Sequence, residues 1–275
     1  MTGNIDEQVV KGFGDEWSRF DQTVLSPEEH ERLFAEYFDI FPWEALPENA
    51  VGFDLGCGSG RWAKLVAPRV GRLHLIDPSP DALAVARQNL NDVDNVVFHQ
   101  AGAGDIPLDE ESCDFGYSLG VLHHIPDTAA GITECVKRLK SGAPFLLYLY
   151  YSFDNRPAWF RAVWKVSDIV RSAISRMPYG PRYAISEIIA TTVYWPLARI
   201  ARFFEAIGMN VEGLPLSRYR DRSFYTMRTD ALDRFGTRLE QRFSKAEMEE
   251  MMIAAGLQDI QFSTAIFWTA LGRRK

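Results

Sequence analysis

Asp54-Leu55-Gly56-Cys57-Gly58-Ser59-Gly60 decides the fold, because it ends an apolar run over residues 51–55 and precedes a helical stretch over 61–67. Glycines at such a junction let the backbone turn sharply and approach a ligand with no Cβ in the way, and open N–H groups at a helix start favour a carboxylate or phosphate. A ligand is therefore expected on this loop. The dinucleotide fingerprint is GxGxxG, with two residues before the last glycine, whereas this loop reads GxGxG with an acid two positions ahead of it. The spacing argues against a nicotinamide-dependent oxidoreductase.

Outward from the loop, apolar β-rich runs alternate with helix-like segments, as they do when parallel strands are covered on both faces by crossover helices. The pattern predicts strands over 51–55, 72–77, 96–100, 113–118 and 144–151, with helices over 61–67, 81–91 and 128–139. After Tyr151 the period changes: Trp159, Val163, Val166, Val170 and Ile174 recur at helical spacing, as do Ile185, Ile188, Thr192 and Trp195, with Pro196 expected to kink or break the second helix. Ser244 and Glu247 form a capping-box pattern opening a helix that stops at Gly256, and two strand-like runs near 260–264 and 267–271 suggest a closing hairpin at the sheet edge. Upstream, Phe13, Trp17 and Phe20 share one face of an N-terminal helix, and Leu33, Tyr37 and Phe38 mark another. The expected fold is α/β, a doubly wound, seven-stranded, Rossmann-like sheet with a helical insertion or lid between the fifth and sixth strands. The expected divisions are an N-terminal helical cap (1–50), a ligand-binding core (51–151), a mainly helical insert (152–243), and a last helix with its hairpin (244–275).

These motifs, in this order, resemble class I S-adenosylmethionine-dependent methyltransferases of the small-molecule type, whose first motif is an acid followed by GxGxG. The resemblance covers residues 51–151. It implies that Gly56, Cys57 and Gly58 cradle S-adenosylmethionine, that Asp54 orients its methionine amino group, and that Asp77, closing Leu73-His74-Leu75-Ile76-Asp77, binds both ribose hydroxyls. A carboxylate suits that task, since it only accepts and can take two hydrogen bonds from a vicinal diol. The family's third motif usually reads GDAxxLPF, with an Asp receiving the adenine amino group; here Ala101-Gly102-Ala103-Gly104-Asp105-Ile106-Pro107-Leu108 puts Gly102 in its place. Adenine recognition is then expected from the Ala103 backbone N–H and from packing by Pro78, with Asp105 a second-rank substitute. In Ser118-Leu119-Gly120-Val121-Leu122-His123-His124-Ile125-Pro126-Asp127, Ser118 and the Leu119 carbonyl are expected at the methionine end. All of these lie at carboxyl ends of strands, the edge where open α/β sheets bind ligands.

Methyl transfer from a sulfonium is a one-step in-line displacement that chiefly requires the acceptor to be held behind the methyl group, and no metal is implied. S-adenosylhomocysteine would be the product. A base helps when the acceptor must lose a proton; His124 is the first candidate, against a weightier packing or hydrogen-bonding role, and His123 ranks lower. The acceptor pocket is expected from the N-terminal helices, from the fifth strand near Tyr148, Tyr150 and Tyr151, and from the insert, where Arg220, Arg222, Tyr225 and Arg228 interleave cations with aromatic rings. Such a surface suits an anionic, aromatic or lipid-like small molecule, while a solvated charged face is an equal reading. The alternative function is a protein that binds S-adenosylmethionine without methylating, as a binding module or a catalyst of another reaction.

Composition bounds the partners. The 275 residues carry a net charge of -7, but residues 1–151 hold 11 Lys/Arg against 24 Asp/Glu, and residues 152–245 hold 16 against 9. With no stretch reaching the ~18 apolar residues of a membrane span and acids where a secretion signal would carry bases, a cytoplasmic location is expected. Cys57, Cys113 and Cys135 form no CxxC pair, so neither a disulfide framework nor a zinc site is indicated. An acidic chain without a recognised nucleic-acid module is not expected to bind nucleic acid. The aromatic residues of the insert read first as core, and second as an interfacial surface meeting a membrane-bound acceptor.

Overall fold

The computed structural model of the chain describes residues 4–153, 156–264 and 268–275. Its sheet contains β1 (Val51–Leu55), β2 (Arg72–Asp77), β3 (Val96–Gln100), β4 (Phe115–Leu119), β5 (Pro144–Tyr148), β6 (Leu257–Phe262) and β7 (Ala270–Arg274), in the order β3-β2-β1-β4-β5-β7-β6. β1 to β5 are parallel, and β7 runs antiparallel between β5 and β6. This is the doubly wound seven-stranded sheet that the alternation implies. Every residue of β4 and β5 is buried, which is why β5 reads as a continuous apolar run and β4 carries no charge.

The helices of the sheet unit are α1 (Glu7–Arg19), α2 (Pro27–Phe38), α3 (Ala63–Val66), α4 (Pro80–Asn89), α5 (Thr128–Arg138) and, after the insertion, α10 (Lys245–Ala254). Ile132, Cys135 and Val136 of α5 and Met248 and Met252 of α10 join alternate strand residues Phe53, Leu55, Phe145 and Leu147 in one core. Side chains of this size each contribute about 1.5–3 kcal/mol when fully buried. The capping box at Ser244 forms as its spacing implies.

Local departures have local causes. The stretch over 61–67 is helical only from Ala63 to Val66 and then tightens into a 3-10 turn containing Pro68, which has no N–H to continue an α-helix. The closing hairpin is displaced outward from its expected positions: Gly256, at φ +98, ends α10 and lets β6 begin at once at Leu257, while the Arg274 amide pairs with the Ala143 carbonyl. Phe267, where the sequence places the start of the last strand, lies outside the described residues.

The chain divides into two compact units, one of residues 1–22, 31–154 and 239–275, the other of residues 23–30 and 155–238. The second contains α6 (Ala158–Ile174), α7 (Tyr179–Ile189), α8 (Trp195–Ala206) and α9 (Phe224–Gly236) around Ile174, Tyr194, Tyr219, Met227 and Phe235. A π turn over Ala190–Tyr194 joins α7 to α8 just before Pro196, a local widening where the proline would otherwise meet the carbonyl four residues back. The Glu29 carboxylate accepts from the Ser223 amide and the Thr226 hydroxyl at the start of α9, and buried Arg171 and Arg182 donate to the Thr237 and Gly236 carbonyls at its end. Both contacts match the polarity of the helix termini.

Candidate functional site

At the carboxyl ends of β1, β2 and β4 the first unit holds a pocket of about 870 Å³, counting the space open to solvent. Its lining draws on the glycine loop, the ends of the strands and α1. The loop turns through left-handed backbone at Gly56 (φ +78), Gly58 (φ +53) and Gly60 (φ +76). A Cβ on Gly56 would stand 2.3 Å from the Val121 side chain, and one on Gly58 would stand 2.8 Å from the Trp17 ring. Glycine is needed here for packing as well as for conformation.

The amides that the sequence leaves open for an anion are used internally. Gly56 and Cys57 both donate to the Ile76 carbonyl, Gly60 donates to Cys57, and Gly58 donates to Asp77 Oδ2 at 2.9 Å. The Ser79 amide donates to Asp77 Oδ1, also at 2.9 Å. The loop thus holds a carboxylate of its own chain, and Asp77, which lines the pocket, is fixed through both oxygens. Burial lifts the Asp77 carboxyl to about 6, against the pull of the Ser79 and Gly58 amides. Each oxygen keeps a further lone pair, so the group can still receive a diol.

Asp54 sits one residue before the end of β1 and is buried, with Oδ2 lacking a hydrogen-bond partner among the described residues. Burial pushes its carboxyl up to about 8, opposed by the neighbouring Tyr117 hydroxyl, reinforced by Asp77 and opposed by Arg61. An orphaned buried carboxyl oxygen is costly. Its chemistry matches a ligand ammonium group, although Asp54, unlike Leu55 and Asp77, is not among the residues that line the pocket.

Of the other residues singled out in the sequence, Gly56, Cys57, Pro78, Ala103, Leu119 and His124 line the pocket. Burial raises the Cys57 thiol well above its usual range, so it stays protonated. Ser118 is fully buried and donates to the Leu55 carbonyl at 3.0 Å, tying β4 to β1. The Gly102 carbonyl accepts from the Asp105 amide. His124 Nδ1 lies 2.7 Å from the Leu239 carbonyl, so Nδ1 carries the proton and donates, and Nε2 is the basic nitrogen. Its ring stands against His123 at 3.9 Å and Phe13 at 5.1 Å between centroids. His123 is fully buried, and burial, with His124 and Arg242 adding to it, holds it neutral.

The expected acceptor residues lie in other surroundings. Tyr151 stacks edge-on with Phe153 and Trp268. In the second unit Arg220 pairs with Glu205 at 2.7 Å, Arg228 binds Glu187 and the Tyr183 hydroxyl, and the Arg222 carbonyl accepts from Arg199. Tyr225 lies in the first turn of α9, where its carbonyl accepts from Thr229. The sequence placed the N-terminal helices at the pocket without saying which of their residues line it, and these are Ile5, Asp6, Val9, Val10, Phe13 and Trp17; it missed Arg61, whose guanidinium stands over the Trp62 ring. The signal present was the apolar face of α1, but amphipathicity does not separate a face that meets the core from one that walls a pocket.

Comparison with known proteins agrees with this geometry. Residues 53–147 match the family model described as a methyltransferase domain. The chain is 28% identical over 178 residues to a ubiquinone biosynthesis O-methyltransferase of Hydrogenovibrio crunogenus, covering 63% of this chain and 70% of the relative. It is 28% identical over 141 residues to phosphoethanolamine N-methyltransferase 2 of Caenorhabditis elegans, covering 49% of this chain and 31% of that protein. A ubiquinone biosynthesis O-methyltransferase of Hahella chejuensis is 30% identical over 158 residues, covering 56% of this chain and 63% of the relative. The chain thus spans less than two thirds of the length of the last two. Human N-acetylserotonin methyltransferase, solved with S-adenosylmethionine, shares the fold at a TM-score of 0.54 and 16% identity, over 97% of this chain and 57% of that one. The glycine loop, the anchored acid that ends β2, the sheet order and the family match together support a class I S-adenosylmethionine-dependent methyltransferase domain over residues 53–147, with S-adenosylmethionine as its cofactor.

Proposed function

We propose that the chain methylates a small molecule with an apolar or aromatic body, at a hydroxyl or amine that gives up a proton to His124. The observation that carries this reading is the wall of the pocket: Val9, Val10, Phe13 and Trp17 of α1 face the glycine loop, with His124 beside them. When bound, S-adenosylmethionine supplies a methyl group on an already activated sulfonium. In this reading Asp77 takes the ribose hydroxyls, Asp54 takes the ammonium group, Gly56, Cys57 and Gly58 form the floor, and Pro78, Ala103 and Leu119 flank the nucleoside. The α1 face excludes water and holds the acceptor in line. His124 Nε2 accepts the acceptor's proton as the new bond to carbon forms, and the Leu239 carbonyl keeps the ring in the required tautomer by holding Nδ1–H. The similarity to a ubiquinone biosynthesis O-methyltransferase and a phosphoethanolamine N-methyltransferase supports a small-molecule acceptor. Arg220 and Arg228, already committed to carboxylates, give no support to a strongly anionic one.

The test is a panel of phenols, catechols and amines incubated with the full chain and labelled cofactor. Methylated product and S-adenosylhomocysteine are expected with apolar aromatic members. Turnover confined to anionic, non-aromatic acceptors would refute the reading.

A further inference from the structure

The second unit presents an apolar helix face outward. Along α6, Trp159, Val163, Val166, Ile169 and Val170 are all exposed, Val166 at 63% and Ile169 at 72%. At 3.6 residues per turn they form one continuous stripe. Arg161 and Lys165 of α6 and Arg176 just beyond it are exposed and border the stripe on one side, while Arg171 and Ile174 are buried against the unit on the other. The one acid of α6, Asp168, is half-buried and held by Arg171 and Arg234. α8 repeats the theme with exposed Trp195, Ile200 and Phe203, and with Ile207 just past its end.

We propose that the α6 face is a docking surface for an anionic lipid bilayer. A helix with an outward apolar stripe, an aromatic residue on it and cations along its margin lies in the headgroup boundary, burying the stripe while the long basic side chains reach the phosphates. Residues 155–238 hold 14 Lys/Arg against 7 Asp/Glu, whereas the rest of the chain holds 16 against 30. That balance fits an anionic surface and opposes pairing of this face with the same face of a second copy, which would bring like charges together. No helix of the described residues is long and apolar enough to cross a membrane, so the contact is one of lying on the surface. The inference goes beyond the proposed methyl transfer, and lipid binding is read without turnover.

The experiment is co-sedimentation of the full chain with vesicles of phosphatidylcholine alone and of equimolar phosphatidylcholine and phosphatidylglycerol, at low and high salt. The chain is expected to partition onto the anionic vesicles, less so at high salt. Arg161→Gln and Lys165→Gln should each weaken partition about fivefold, and Val166→Glu with Ile169→Glu should abolish it, with melting temperature and S-adenosylmethionine affinity unchanged. No partition onto anionic vesicles, or undiminished partition by the two Gln variants, overturns the proposal. So does a dimer in light scattering that the Val166 and Ile169 substitutions convert to monomer, which would assign the face to a second copy.

Discussion

The Gly58 amide and the Asp77 carboxylate meet at 2.9 Å, so the glycine loop after β1 is tied to the end of β2 through the group that faces the pocket. Asp77→Asn keeps the shape but leaves one of two backbone donors facing an NH₂ group, and it removes the charge that would hold a diol. Hydrogen bonds to charged groups contribute about 1.5–3 kcal/mol, so S-adenosylmethionine affinity should fall roughly tenfold to a hundredfold by calorimetry. An unchanged dissociation constant would remove Asp77 from the cofactor site.

Asp54 and Asp77 make stability depend on pH. Burial raises Asp54 from 3.8 to about 8 and Asp77 from 3.8 to about 6, so the folded chain holds protons that the unfolded chain has released. Stability therefore falls as pH rises above 3.8, and this loss levels off once pH passes about 8. Asp54→Asn should melt at a higher temperature than the parent above pH 8, with the gain shrinking toward pH 3.8, while it binds cofactor more weakly. Parallel melting profiles for the two chains would contradict the assignment.

Cofactor binding should expel protons. A ligand ammonium beside Asp54 favours the carboxylate form, so near neutral pH binding should release up to about one proton. Calorimetry in buffers of different ionisation enthalpy reads this directly. Proton uptake would be the wrong sign for the proposed contact.

Gly58 and Trp17 should be coupled. Gly58→Ala places a Cβ 2.8 Å from the Trp17 ring at φ +53, costing about 1–2 kcal/mol for the backbone alone and more for the clash. Adding Trp17→Ala removes the clash and leaves the backbone cost. Thermal melts of the double-mutant cycle should show the pair less destabilising than the sum of the single changes.

His124 should matter for turnover and little for cofactor affinity. His124→Gln is expected to lower kcat/KM for a hydroxyl acceptor by about 10²–10⁴. Full activity in the variant would return His124 to a packing role.

Much of the molecule is legible in the sequence because its strands are buried on both faces. Pro144 to Tyr148 has no solvent side and reads as an unbroken apolar run, Phe115 to Leu119 is as fully buried with Ser118 its one polar side chain apart from the Tyr117 hydroxyl, and GxGxG marks the turn between Leu55 and α3. The relations that no one-dimensional pattern carries are those between distant segments. Trp17 standing over Gly58 and Glu29 holding the start of α9 depend on tertiary placement, not on period or propensity. The arginines of residues 218–228 are legible only in part. Their composition admits ligand contact and a solvated charged face equally, and the pairing of Arg220 and Arg228 with Glu205 and Glu187, 15 and 41 residues away, is carried by the tertiary structure alone.

The position of β7 between β5 and β6 sets an order of assembly. Among the described residues β6 pairs only with β7, whereas β7 pairs with both neighbours. The earlier strand of the hairpin thus has no place on the sheet until the later one has docked on β5. Consolidation of this edge runs against the direction of the chain, and it closes a loop more than a hundred residues long, from Leu147 to Ala270, the kind of distant contact that slows folding.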